Sequence, residues 1–186
     1  YSAGGDKATT LNSFKYNSGG KLLQIDFDHA LNASAGVATG DFSLSAYGGG
    51  SVSTTGWAVS QIHQRQGLQM SFNTAPNGPM LVQYNGGLAD EAGRGFGSKT
   101  WLLGTDANDT GSTSLNASTL TAAQQAAGVV ILAGAGNDSV TGGSGADTLV
   151  GGLGIDTLTG GAGSDTFLYV NEVPGTGADG GLGGLT

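Results

Sequence analysis

The chain of 186 residues has no cysteine, which removes both disulfides and thiolate metal sites from its repertoire. Charge is scarce too, at 11% of residues, and basic residues stop altogether at Lys99. Up to that point six Lys and Arg balance six Asp and Glu; from Thr100 onward eight acidic residues stand alone, so the whole net charge of −8 lies in the C-terminal half. A segment of that kind repels itself unless cations neutralise it. It also lacks the basic stripe needed to displace counterions from a phosphate backbone, which excludes nucleic acid as a partner. No apolar run approaches the roughly 18 residues of a membrane span. No signal peptide opens the sequence, and Tyr1-Ser2-Ala3 reads as the interior of a longer chain.

Glycine, by contrast, is abundant, at 37 residues. A flexible linker would show no phase, yet four consecutive nonapeptides keep strict phase near the C-terminus: AGAGNDSVT (133–141), GGSGADTLV (142–150), GGLGIDTLT (151–159) and GGAGSDTFL (160–168). Each has Gly at its second and fourth positions, Asp at its sixth and an apolar residue at its eighth. The pattern is that of a parallel β-solenoid with a six-residue turn and a three-residue strand per unit. Predicted strands are 139–141, 148–150, 157–159 and 166–168, with Val140, Leu149, Leu158 and Phe167 pointing inward. Two units complete one coil, so Asp138 stacks over Asp156 and Asp147 over Asp165. Carboxylates stacked one coil apart repel, and a divalent cation between them removes the repulsion. Ca²⁺ takes six to eight oxygens, so backbone carbonyls must complete the shell that two Asp side chains begin. A single file of four apolar residues is too small a core to order this segment alone, so metal binding is expected to be coupled to folding.

These nonapeptides resemble the RTX repeats of exported Gram-negative toxins, metalloproteases, epimerases and adhesins. The resemblance implies a calcium-binding β-roll in which carbonyls of positions two and four of one turn meet those of positions one and three of the turn a coil later. One implied site comprises Gly134, Gly136, Asp138, Gly151, Leu153 and Asp156; the other comprises Gly143, Gly145, Asp147, Gly160, Ala162 and Asp165. The segment GTDANDTG (104–111) resembles the degenerate repeat that precedes such rolls, which adds Asp106 and Asp109 as further ligand candidates. Thr121 to Gly128 reads as a short helix with a Thr cap and a terminal Gly. VVILA (129–133) is then the first strand of the roll. Residues 171–186 resemble the exit segment that precedes a C-terminal export signal.

Residues 1–103 carry short alternating stretches separated by Gly, Asn, Ser and Pro. Leu23, Ile25 and Phe27 share one face, as do Phe42, Leu44 and Ala46; Leu68, Met70 and Phe72; and Met80, Val82 and Tyr84. WAVSQI (57–62) and TWLL (100–103) complete the predicted strands. Several short strands with turn signals between them predict an antiparallel β-sandwich. LLQIDFDHAL, GDFSLSAYGGGSV and LVQYNGGLADEAGRGF are similar in order to the immunoglobulin-like modules of secreted adhesins. Trp57 and Trp101 read as core, and His29 and His63 as solvated. Asp26, Asp28, Asp90 and Glu91 are ordinary loop carboxylates or, alternatively, a calcium site at the sandwich rim.

The expected organisation is all-β: an immunoglobulin-like sandwich (1–103), a capping segment with a short helix (104–132), the roll (133–170) and an exit segment (171–186). Neither H-E-x-x-H nor G-x-S-x-G occurs, and no nucleophile has an evident His partner, so the chain is not read as an enzyme. The expected function is that of a calcium-dependent segment of a secreted bacterial RTX adhesin, exported by type I secretion machinery. It would fold on calcium outside the cell and serve as extender or ligand-binding module for a peptide or glycan. The alternative is the C-terminal export and folding module of an RTX protease, lipase or epimerase.

Overall fold

The computed structural model describes residues 11–17, 22–27, 39–48, 57–62, 67–72, 78–85, 89, 91–93 and 99–168. In the N-terminal half, alternating apolar residues build β1 (Leu11–Asn17), β2 (Leu22–Phe27), β3 (Phe42–Ala46), β4 (Trp57–Ile62), β5 (Gly67–Phe72), β6 (Met80–Tyr84) and β7 (Lys99–Leu103). Strand β3 shows the period of two expected for a half-buried strand: Phe42 and Leu44 are buried while Ser43 and Ser45 are exposed. In β6, Met80, Val82 and Tyr84 are buried. Strand β1 is not among the predicted strands; its signal is the alternation of Phe14 and Tyr16 with polar residues. His29, His63, Asp28, Asp90 and residues 171–186 lie outside the described residues.

The C-terminal half contributes β8 (Leu115–Asn116), α1 (Ala122–Ala126), β9 (Val129–Ala135), β10 (Ser139–Thr141), β11 (Thr148–Leu153), β12 (Thr157–Thr159) and β13 (Thr166–Leu168). Helix α1 starts on a capping box, in which the Thr121 hydroxyl accepts from Gln124 N and the Gln124 side chain accepts from Thr121 N. It ends before Gly128, whose φ of 78° reverses the chain. The predicted strands of the nonapeptides all form. They pair in parallel with the strand two units on: Val140 lies beside Leu158 and Leu149 beside Phe167.

The described residues form three sheets. β1-β2-β5-β4 is antiparallel, β12-β10-β8 is parallel, and the third runs β13-β11-β9-β7-β6-β3. This third sheet is mixed, because β7 pairs antiparallel with β6 on one side and parallel with β9 on the other. The class is all-β, as expected, but an antiparallel unit followed by a separate parallel one does not describe this sheet. The reason is chemical. TWLL and VVILA are continuous apolar runs, and Thr100 to Leu103 and Val129 to Ala133 are all buried. Such strands need cover on both faces and partners on both edges. Since Thr100 pairs with Val129, β7 is in effect the first rung of the roll, one enlarged coil before β9.

The core of the roll is consequently larger than a file of four side chains. Leu102, Leu115, Ala117, Val129, Ile131 and Ala133 join Val140 and Leu149 in one buried cluster, with Tyr47 and Leu158 packed against it. The Tyr47 hydroxyl donates to Asn116 O at 2.6 Å and accepts from Asn116 N at 3.2 Å, fixing β8 to the N-terminal half. Burial declines along the solenoid. Leu149 is fully buried, whereas Phe167, expected to point into the core, is 37% exposed. It sits in the last described coil.

Candidate metal centre

The turns of the roll stack into two columns. In the first, residues 133–138 underlie 151–156 in register, Gly134 beside Gly152 and Ala135 beside Leu153. In the second, residues 142–147 underlie 160–165, with Ala162 N donating to Gly143 O at 3.0 Å. Glycine is what permits this spacing. At Gly152 and Gly154, whose φ values are 99° and 119°, a Cβ would collide with the carbonyl oxygens of Gly134 and Gly136. The turn carbonyls thus face the coil above rather than solvent.

The sixth-position aspartates form ladders through these columns. Asp138 N donates to Asp156 Oδ1 at 3.0 Å, and Asp147 N to Asp165 Oδ1 at 3.0 Å. Asp147 is 1% exposed, and its two oxygens accept from Val129 N at 2.7 Å and Gly143 N at 2.5 Å. Asp138 is 2% exposed; its Oδ1 accepts from Asp109 N at 2.8 Å, while Oδ2 is buried with no hydrogen-bond partner. Burial pushes the Asp138 carboxyl up to about 6; the Asp109 amide pulls it down, and the charges of Asp109 and Asp156 raise it further. Asp109 is also raised, again chiefly by burial, against hydrogen bonds from Thr105.

The structure stacks the turns that carry the expected ligands. Gly134, Gly136, Asp138, Gly151, Leu153 and Asp156 occupy adjacent turns of the first column; Gly143, Gly145, Asp147, Gly160, Ala162 and Asp165 occupy those of the second. Asp109 lies beneath Asp138 at the base of the first column, whereas Asp106 is exposed on the same turn. Two residues absent from the expected ligand sets brace the first column. Asn108 Oδ1 accepts from Asn137 N and Asn137 Oδ1 from Ile155 N, each at 2.8 Å. Their signal is an Asn directly before Asp in both turns, which Ile155 and the second column lack.

Among the described residues, no cluster of three or more His, Cys, Asp or Glu side chains stands ready for a metal. The donors on these turns are of another kind: stacked carboxylates, one of them with a bare buried oxygen, and turn carbonyls. These are hard oxygen donors with no Lys or Arg anywhere in the segment to neutralise them, and they suit calcium. Residues 130–158 and 141–168 match the family model of the RTX calcium-binding nonapeptide repeat (4 copies). Over residues 130–168 the chain is similar to that calcium-binding repeat. No curated protein and no solved structure matches the chain.

The ion of these RTX repeats is Ca²⁺. When bound, it would supply the positive charge that the acidic turns lack, with Asp138, Asp156, Asp147, Asp165 and the turn carbonyls as the groups that would hold it. The chain's own residues hold the turns open for it: glycines admit the carbonyls, and hydrogen bonds from Val129 N and Gly143 N orient the Asp147 carboxylate.

Proposed function

We propose that the chain is a calcium-gated segment of a secreted bacterial adhesin. The family match supports a calcium-binding protein of a type that is typically exported by type I secretion. The adhesin reading assigns residues 1–103 to an immunoglobulin-like sandwich acting as extender or as receptor for a peptide or glycan. On this reading the segment itself catalyses nothing, and a calcium-poor cytosol keeps the roll unfolded until export.

The observation that carries the proposal is the shared sheet, in which β7 joins strands β6 and β3 to the roll strands β9, β11 and β13. An RTX roll that served only export would have no need to share its first rung with another unit. Here, order in the roll supports the edge of the N-terminal sheet, so calcium governs when that unit is presented. The test is circular dichroism of the chain in chelator and in millimolar Ca²⁺, followed by a peptide and glycan binding screen under both conditions. β-Structure is expected to rise on adding calcium, and ligand binding to appear only then. Equal β content in both conditions overturns calcium gating; uniform failure to bind any peptide or glycan overturns the receptor role and favours that of extender.

A further inference from the structure

The fifth position of the turn is exposed and belongs to neither expected ligand set, yet it is where the two columns differ. In the first column it is Asn108, then Asn137, then Ile155; in the second, Ala146 lies below Ser164. Asn108 Oδ1 accepts from Asn137 N, and Asn137 Oδ1 from Ile155 N, so each Asn side chain holds an amide of the turn one coil above. The methyl of Ala146 offers Ser164 N no such acceptor.

These bonds act on carbonyls. Asn137 N belongs to the same planar unit as the Gly136 carbonyl, and in a trans peptide the N–H and the carbonyl point in opposite directions. Drawing that N–H down to Asn108 therefore aims the Gly136 carbonyl up. The packing agrees, since a Cβ on Gly154 would strike the Gly136 oxygen. In the same way, the bond from Ile155 N to Asn137 turns the Gly154 carbonyl toward the next coil. Gly136 is among the expected calcium ligands, whereas neither Asn is. Glycine peptides left unheld sample many orientations. An ion that meets them must fix their direction itself, and that ordering weakens its binding. A carbonyl already aimed removes the loss.

We propose that Asn108 and Asn137 are positioning residues for calcium in the first column: without being ligands, their side chains aim the Gly136 and Gly154 carbonyls at the coil above and so raise that column's affinity. This rests on the calcium-roll reading and deepens it. Asn108 lies outside the segment that matches the repeat family. A donor of the first nonapeptide is thus aimed by a residue of the turn before it, beyond the insertion that carries α1.

Backbone amide NMR of the intact, isotope-labelled chain across a Ca²⁺ titration reads the columns separately. Residues 133–138 and 151–156 report on the first, and residues 142–147 and 160–165 on the second. Asn108→Ala and Asn137→Ala each remove one side-chain acceptor. Each is expected to raise the calcium midpoint of the first column about three- to tenfold, the effect of a single net hydrogen bond, and to leave the second unchanged. Ala146→Asn supplies the acceptor that Ser164 N lacks and deletes nothing, so it keeps the test open if an Ala variant misfolds. It is expected to lower the midpoint of the second column by a similar factor. First-column midpoints that stay put in both Ala variants overturn the proposal, as does a second-column midpoint that Ala146→Asn fails to lower. Midpoints that rise together in both columns overturn it too, because the Asn residues then only stabilise the fold. A parent chain whose amide signals ignore calcium overturns the calcium-roll reading instead.

Discussion

At the scale of single residues, Asp138 ties the chemistry of the roll to pH. Its carboxyl in the metal-free fold is pushed to about 6, above the ordinary range of a free Asp. Between about pH 4 and pH 6 the folded chain therefore holds a proton that the unfolded chain has released. That difference stabilises the metal-free fold below the window and is lost as pH rises through it. Asp109 is raised in the same sense. With chelator present, the β signal of the chain is expected to increase as pH is lowered from neutral into this window. In saturating calcium the trend reverses, because protons then compete with the ion for the same oxygens. Circular dichroism at stepped pH, with and without calcium, checks both signs; identical profiles in the two series contradict them.

At the scale of elements, the repeat strands were legible because Asp at position six and an apolar residue at position eight fix their phase. Strands β2, β3, β5 and β6 followed from their alternation, whereas β1 was not predicted. What the sequence hid is each contact that depends on a distant partner. The β7–β9 pairing reaches across an insertion carrying α1, and the Tyr47 hydroxyl bonds the backbone of Asn116, far along the chain. Phe167 departs from expectation because position eight specifies an inward direction and not a degree of burial. Leu149 and Phe167 occupy equivalent positions in neighbouring strands, so they make a matched test. Leu149→Ala opens a cavity in the closed core and is expected to cost about 2–5 kcal/mol. Phe167→Ala is expected to cost less than about 1 kcal/mol, as a partly exposed site does. Urea unfolding in saturating calcium measures both. Equal losses would mean that the last coil is as closed as the first.

At the scale of the whole molecule, a core that is fully buried around β9 and part-exposed in the last described coil meets a column of carboxylates with no basic residue in the same segment. Apolar packing holds the first rungs, from β7 through β9 to β11. Among the described residues no helix is long and apolar enough to cross a membrane. The ladders are closed by amide hydrogen bonds from Asp138 N and Asp147 N to the carboxylates above. Calcium must share those carboxylates with the amides or displace them, and diffraction from crystals grown in saturating calcium shows directly which occurs. Ion density is expected between Asp138 and Asp156 and between Asp147 and Asp165, with turn carbonyls completing each shell. Stacked turns joined by amide hydrogen bonds alone, at calcium concentrations that saturate binding, would contradict it.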